Sequence, residues 1–88
     1  MNMENLYNFI QRKPVILTKE RDSSYQVDSV DKNNNNGLYV YGKKKASPNL
    51  KYAFILDSLY DYFQDANGNI IAFLNGTKEF TLSRGILN

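Results

Sequence analysis

Two groups of residues have the types and spacing to do chemistry. The first is acidic: Asp57, Asp61 and Asp65 recur every four residues. On a helix they stand roughly 6 Å apart along one stripe. Carboxylates in such a row are the raw material of a hard-cation site or an acid–base cluster. No residue type converges on them, so the reading adopted is a solvated helix face. Asp65-Ala66-Asn67-Gly68-Asn69 opens like a calcium loop. It lacks the downstream bidentate Glu, and a turn is expected instead. The second group is basic. Lys43-Lys44-Lys45 is followed by Lys51 and preceded by Tyr39 and Tyr41, with Tyr25 on a neighbouring segment. Lysines neutralise phosphates, and flat tyrosine rings stack on bases or anchor a protein partner. The competing role is protective, because lysines on an edge strand discourage edge-to-edge pairing and keep a small protein in solution.

Much other chemistry is excluded by composition. The chain has no histidine and no cysteine. The commonest general base, the commonest nucleophile and the usual transition-metal ligands are therefore missing together. Disulfides are impossible, and no glycine-rich phosphate loop is present: Gly37, Gly42, Gly68, Gly76 and Gly85 are scattered and read as turn punctuation. No enzyme activity, cofactor or metal is expected. A net charge of +2 is too small to argue for nucleic acid by itself and runs against an acidic DNA mimic. The N-terminus, Met1-Asn2-Met3-Glu4-Asn5, has no basic region leading into an apolar run, and no apolar run is long enough to span a bilayer. A soluble, cytoplasmic protein is expected.

These residues need elements to position them. At 88 residues the chain reads as one domain, 1–88, rich enough in apolar side chains (42%) to pack a core without staples. Asn5 to Lys13 reads as a short helix with Leu6, Phe9 and Ile10 on one face, stopped by Pro14. Val15 to Glu20 follows as a strand, then a turn over Arg21-Asp22-Ser23-Ser24. Tyr25 to Asp31 is a second strand, with Val30 out of phase and a bulge expected near Asp28-Ser29. Asn33-Asn34-Asn35-Asn36-Gly37 is a hairpin loop with Gly37 as its left-handed residue. Leu38 to Lys44 is a third strand, Leu38 and Val40 inward, Tyr39 and Tyr41 outward.

Ser47 to Gly68 carries the marks of a complete helix. Ser47 is a good N-cap, Pro48 suits the first helical position, and Gly68 suits a left-handed C-terminal residue. Tyr52, Ile55, Leu56, Leu59, Tyr62, Phe63 and Ala66 share one helical face, and Phe54 is the single large apolar residue off it. A second reading makes Leu59 to Gln64 a strand paired with Ile70 to Leu74 across Asp65-Ala66-Asn67-Gly68. Agreement of caps and periodicity favours the helix. Asn69 to Leu74 and Lys78 to Ser83 then form a hairpin about Asn75-Gly76, and Arg84 to Asn88 is a tail. The expected fold is α+β: an N-terminal short helix, a three-stranded antiparallel meander, one long amphipathic helix packed on the sheet, and a C-terminal β-hairpin.

Helix–strand–strand–strand–helix, with Gly42-Lys43-Lys44-Lys45-Ala46 leading into the second helix, resembles in outline the double-stranded RNA-binding domain. The resemblance covers roughly residues 5 to 66 and also touches small DNA-binding domains at the N-termini of some recombinases. It implies lysines set against phosphates at the second helix's N-terminus. Tyr52, Phe54 and Tyr60 stand where that family packs small residues.

Two functional expectations follow. One is a small non-catalytic protein that binds another protein, an accessory or inhibitor of phage or mobile-element type. Its basis is the loss of catalytic residue types, seven Tyr and five Phe in a small chain, and Asn- and Lys-rich usage typical of AT-rich coding sequence. The alternative is a nucleic-acid-binding domain using a Lys/Tyr surface. Either way the expected contact residues are Tyr39, Tyr41, Lys43, Lys44, Lys45 and Lys51, and a homodimer is compatible with both, through the unpaired strand edge expected where Asn69 to Ser83 ends the sheet.

Overall fold

The computed structural model describes residues 1–19, 21 and 23–88. Glu20, at the end of the expected first strand, and Asp22, in the expected turn, lie outside the described residues. The order is α1 (Met3–Gln11), β1 (Val15–Lys19), β2 (Ser23–Lys32), β3 (Leu38–Lys44), β4 (Ser47–Leu56), β5 (Asp61–Gln64), β6 (Ile70–Leu74) and β7 (Thr77–Arg84). Among the described residues all seven strands join one antiparallel sheet in the order β4-β3-β2-β1-β7-β6-β5.

The long helix expected from Ser47 to Gly68 is absent, and the expected α+β fold is corrected to a seven-stranded antiparallel sheet with one short helix. The segment forms β4, a corner at residues 57–60, β5 and a turn. Its apolar residues obey a period of two: Tyr52, Phe54 and Leu56 turn toward the core, while Ala53 and Ile55 are exposed. Phe54, off the face of the helix, is in phase for the strand. Aromatic and β-branched residues favour a pleated surface, and long-range pairing with β3 and β6 outweighs the caps. Ser47 pairs with Lys44 instead of capping a helix. Gly68 keeps its left-handed conformation (φ +82°) but spends it in the β5–β6 turn, since a helix terminus and a tight turn ask the same of glycine. The second reading of Leu59 to Gln64 matches the structure: β5 pairs with β6 from Asp61↔Phe73 to Gln64↔Ile70. Without a second helix, the outline shared with the double-stranded RNA-binding domain is lost.

The ladder directions determine how the sheet closes. β4 and β5 each stand three antiparallel steps from β1, on opposite sides, so they run in the same direction. They are consecutive in the chain, so residues 57–60 carry one chain path from one edge of the sheet to the other. Five residue steps from Leu56 to Asp61 span at most about 18 Å, and the sheet must curl until its edges approach. Contacts across the curl agree: residues 53–56 of β4 share one hollow with Leu17 of β1 and Phe80 of β7, and the Lys19 Nζ lies 5.9 Å from the Phe54 ring centroid. Two hydrogen bonds hold the corner. The Asp57 carboxylate accepts from the Leu59 N–H at 3.0 Å, and the Tyr62 hydroxyl donates to the Asp57 carbonyl at 3.0 Å.

Inside the curl lie Val15, Leu17, Tyr25, Val27, Val30, Leu38, Val40, Leu56, Tyr62, Ile70, Ala72, Phe80 and Leu82. Helix α1 packs chiefly on β2 and adds Leu6 and Ile10 to this core. Burying each contributes about 1.5–3 kcal/mol, which offsets the poor intrinsic stability of a nine-residue helix. Asn2 caps it, and Glu4 pairs with Lys32 at 2.9 Å. The Arg84 guanidinium stacks on Phe9 at 4.0 Å and donates to the Arg12 carbonyl. The expected bulge appears between Val27 and Ser29. In the Asn tract the left-handed residue is Asn36 (φ 60°), not Gly37; Gly37 sits where a Cβ would meet the Leu56 carbonyl oxygen at 3.0 Å and the Asn33 side chain at 2.8 Å.

Gly42 is likewise a packing residue and lies inside β3 instead of at a turn. A Cβ there would meet the Gln26 carbonyl oxygen at 2.7 Å. Gly42→Ala is therefore expected to cost about 1–3 kcal/mol of stability, checked by urea denaturation at equilibrium. A midpoint equal to that of the unmodified chain contradicts this packing.

Candidate functional site

The residues singled out in the sequence divide between two surfaces. Tyr39, Tyr41 and Lys43 share the outward face of β3, where Tyr39 lies opposite Ile55 and Tyr41 opposite Ala53 on β4. Their rings stand 6.5 Å apart, and the Lys51 Nζ sits 4.6 Å from the Tyr41 ring centroid. Lys43 reaches toward Asp28, whose carboxylate is 3.9 Å away. Four of the six expected contact residues are thus on one face.

Lys44 takes the opposite side. Its strand position puts it in phase with the inward residues Val40 and Gly42, and its Nζ lies 5.5 Å from both the Tyr25 and Tyr52 ring centroids. An ammonium over two aromatic faces is held by their quadrupoles, each contact contributing roughly 0.5–1 kcal/mol. Lys45 is exposed in the β3–β4 turn. Adjacent strand residues point to opposite faces, which divides a lysine run that looks contiguous in sequence. The acidic stripe disperses as well. Asp57 holds the corner, Asp61 is exposed on β5, and the Asp65 carboxylate accepts from the Asn67 and Asn69 N–H groups at 2.9 and 3.0 Å. Among the described residues no group of three acidic side chains is placed to hold a metal.

A second surface is apparent only in three dimensions. Between β4, the corner, β1 and β7 lies a cavity of about 270 Å³, walled by Leu17, Phe54, Leu56, Tyr60 and Phe80 with Lys19 and Glu79. The end of β4, the corner and β5 also expose large apolar groups at four-residue intervals: Ile55 is 57% exposed, Leu59 75% and Phe63 57%. Phe63 packs edge-on against Phe73, with ring centroids 5.7 Å apart. Sequence periodicity assigned Ile55, Leu59 and Phe63 to the buried face of a helix. The signal that could have released them was the two-residue alternation of Tyr52, Phe54 and Leu56.

Gln26 was also missed. Its amide donates to the carbonyls of Val15 and Gly85, and its oxygen accepts from the Leu87 N–H at 2.8 Å. One side chain thus ties the C-terminal tail to β1 and β2, leaving Ile86 72% exposed.

No protein-family model matches the chain, nor does any curated protein or solved structure. Among the described residues no helix is long and apolar enough to cross a membrane.

The corner has a pH signature. Burial, with Asp57 close by, pushes the Tyr62 hydroxyl well above its ordinary value of 10.0. The folded state therefore keeps a proton that the unfolded state releases, so this contribution is complete below pH ~10 and is lost as the pH rises further. Tyr62→Phe is expected to cost about 1 kcal/mol at neutral pH. It should also flatten the loss of stability above pH ~10. Urea titrations at neutral and alkaline pH test both, and an unchanged alkaline slope in the variant rules out this role for Tyr62.

Proposed function

We propose that this protein is a small non-catalytic binding module, an accessory or inhibitory protein that acts by contact with another protein. One observation carries the reading: Ile55 at the end of β4, Leu59 in the corner and Phe63 on β5 all stand largely exposed. Apolar groups of this size grouped at a surface mark an interaction site. Tyr39, 38% exposed and opposite Ile55, extends the patch with a residue type that offers large contact area and little entropy to lose. Lys43 and Lys51 form a polar rim at one end, as protein interfaces commonly have.

A second reading is nucleic-acid binding through Tyr39, Tyr41, Lys43 and Lys51. Its support is that two rings and two lysines share an outward face. Stacking and phosphate neutralisation use such a set, and the affinity falls steeply with salt.

Capture from cell lysate by the tagged full chain, with and without nuclease, separates the two. The first reading expects one protein retained stoichiometrically after nuclease. It should be lost with Leu59→Ser/Phe63→Ser and kept with Lys43→Ala/Lys51→Ala. Recovery of nucleic acid that vanishes with the lysine variant and with added salt establishes the second reading instead.

A further inference from the structure

We infer that the second half of β4 is a pairing edge that binds a second copy of this chain in antiparallel register about Phe54. Among the described residues the sheet has two edges, β4 and β5; the edge expected at Asn69 to Ser83 is instead interior, because β7 pairs with β1 and β6 with β5. β5 is four residues long and carries Asp61. β4 is ten residues long, and only its first half is guarded. Pro48 withholds a donor there, and the ladder jumps from Lys44↔Ser47 to Gly42↔Tyr52, so residues 48–51 bulge out of it. Tyr52-Ala53-Phe54-Ile55-Leu56 follows with no charge, proline or glycine. It pairs with β3 on one side, and among the described residues no strand pairs with its other side. The cavity described above runs along residues 53–56, with Leu17 and Lys19 of β1 and Glu79 and Phe80 of β7 as its far wall. Native edges are normally blunted by charge, proline or a bulge, and a flat apolar edge without them is a template for another strand.

The identity of the occupant is read from the strand itself. Its outward row is Ala53 and Ile55, flanked by Lys51 at the end of the bulge and by Asp57 one residue past the strand. Laid antiparallel on itself about Phe54, this row sets Lys51 against the partner's Asp57 and Ala53 against the partner's Ile55. Opposite charges meet, a small residue meets a large one, and the two-fold repeats each match. On the inner face Phe54 meets its own symmetry mate, and Tyr52 meets the partner's Leu56. Centring the pair on Ala53 sets Lys51 against the partner's Ile55, and centring it on Ile55 sets Ala53 against the partner's Asp57. Neither keeps the charge match, so the sequence favours one register. Both charges are available for it. Lys51 rests on Tyr41 and makes no ion pair among the described residues, while Asp28, which lines the same hollow, faces Lys43 at 3.9 Å; Asp57 uses one carboxylate oxygen for the Leu59 N–H. Ile55 belongs to both surfaces, whereas Leu59 and Phe63 lie outside the pair, so Leu59→Ser/Phe63→Ser should abolish capture of the partner proposed above and leave the dimer in place.

The chain has no cysteine, so an introduced pair reports without background. Ala53→Cys and Ile55→Cys, both at exposed positions, are made separately in the full chain. Equal mixing under mild oxidation should give disulfide-linked dimers, while each variant alone stays uncross-linked. The unmodified chain should show a concentration-dependent dimer mass by light scattering, and Lys51→Glu should weaken that dimer by roughly tenfold or more. A monomer at every concentration, or cross-linking of Ala53→Cys with itself in place of the mixed pair, overturns the inference. An extended peptide from another protein then becomes the occupant to seek.

Discussion

The rest of this structure depends on the corner at residues 57–60, where a single chain path leaves one edge of the sheet and joins the other. A seven-stranded sheet of this size cannot bury an apolar face while flat, because the single short helix packs mainly against one strand. Curling brings the inward faces of β1, β4 and β7 together, and chain continuity at the corner limits how far the edges can separate. Asp57 does two jobs there. Its carboxylate satisfies a backbone donor that the kinked strand leaves without a ladder partner, and its carbonyl accepts a hydrogen bond from the hydroxyl of a mostly buried tyrosine. A hydroxyl in that position stays protonated because charge would be stranded in the core.

The corner also explains the surface. A strand that turns sharply cannot keep alternating residues both inside and covered, and the groups that lose cover are Ile55, Leu59 and Phe63. The cavity beside them is lined by the inward residues of β4 and by their counterparts on β1 and β7. Exposed apolar groups and a free strand edge are thus products of one event, the closing of a sheet by its chain instead of by a ladder. The two binding readings use neighbouring parts of the same feature: the segment through the corner, and the outer face of the strand that enters it.

Local patterns were legible where a single residue or a short alternation decided the conformation. The alternation of Leu38, Tyr39, Val40 and Tyr41 gave the correct faces of β3, because a strand with one buried side repeats every two residues whatever its neighbours. Pro14 and the i, i+3, i+4 set of Leu6, Phe9 and Ile10 marked the short helix for similarly local reasons. Ser47 to Gly68 was misread because each of its signals is ambiguous. Serine and proline open helices and also occupy bulged edges; glycine with positive φ ends helices and also makes turns. Aspartates every four residues line a helix face, yet here they hold a corner, an exposed strand position and a turn. The one decisive residue was Phe54, out of place in the helix and in place in the strand.

What the sequence determined by itself was chemical inventory and local geometry: no histidine or cysteine chemistry, two outward tyrosines on β3, a bulge after Val27 and turns at the asparagine–glycine sites. Tertiary structure alone decided the state of residues 47–64, the separation of Lys43 from Lys44, and the exposure of Leu59 and Phe63. The physical reason is the range of the interactions. Caps, turns and alternation act within a few residues, whereas the choice between helix and strand for an amphipathic aromatic segment is made by the strands it meets across the sheet.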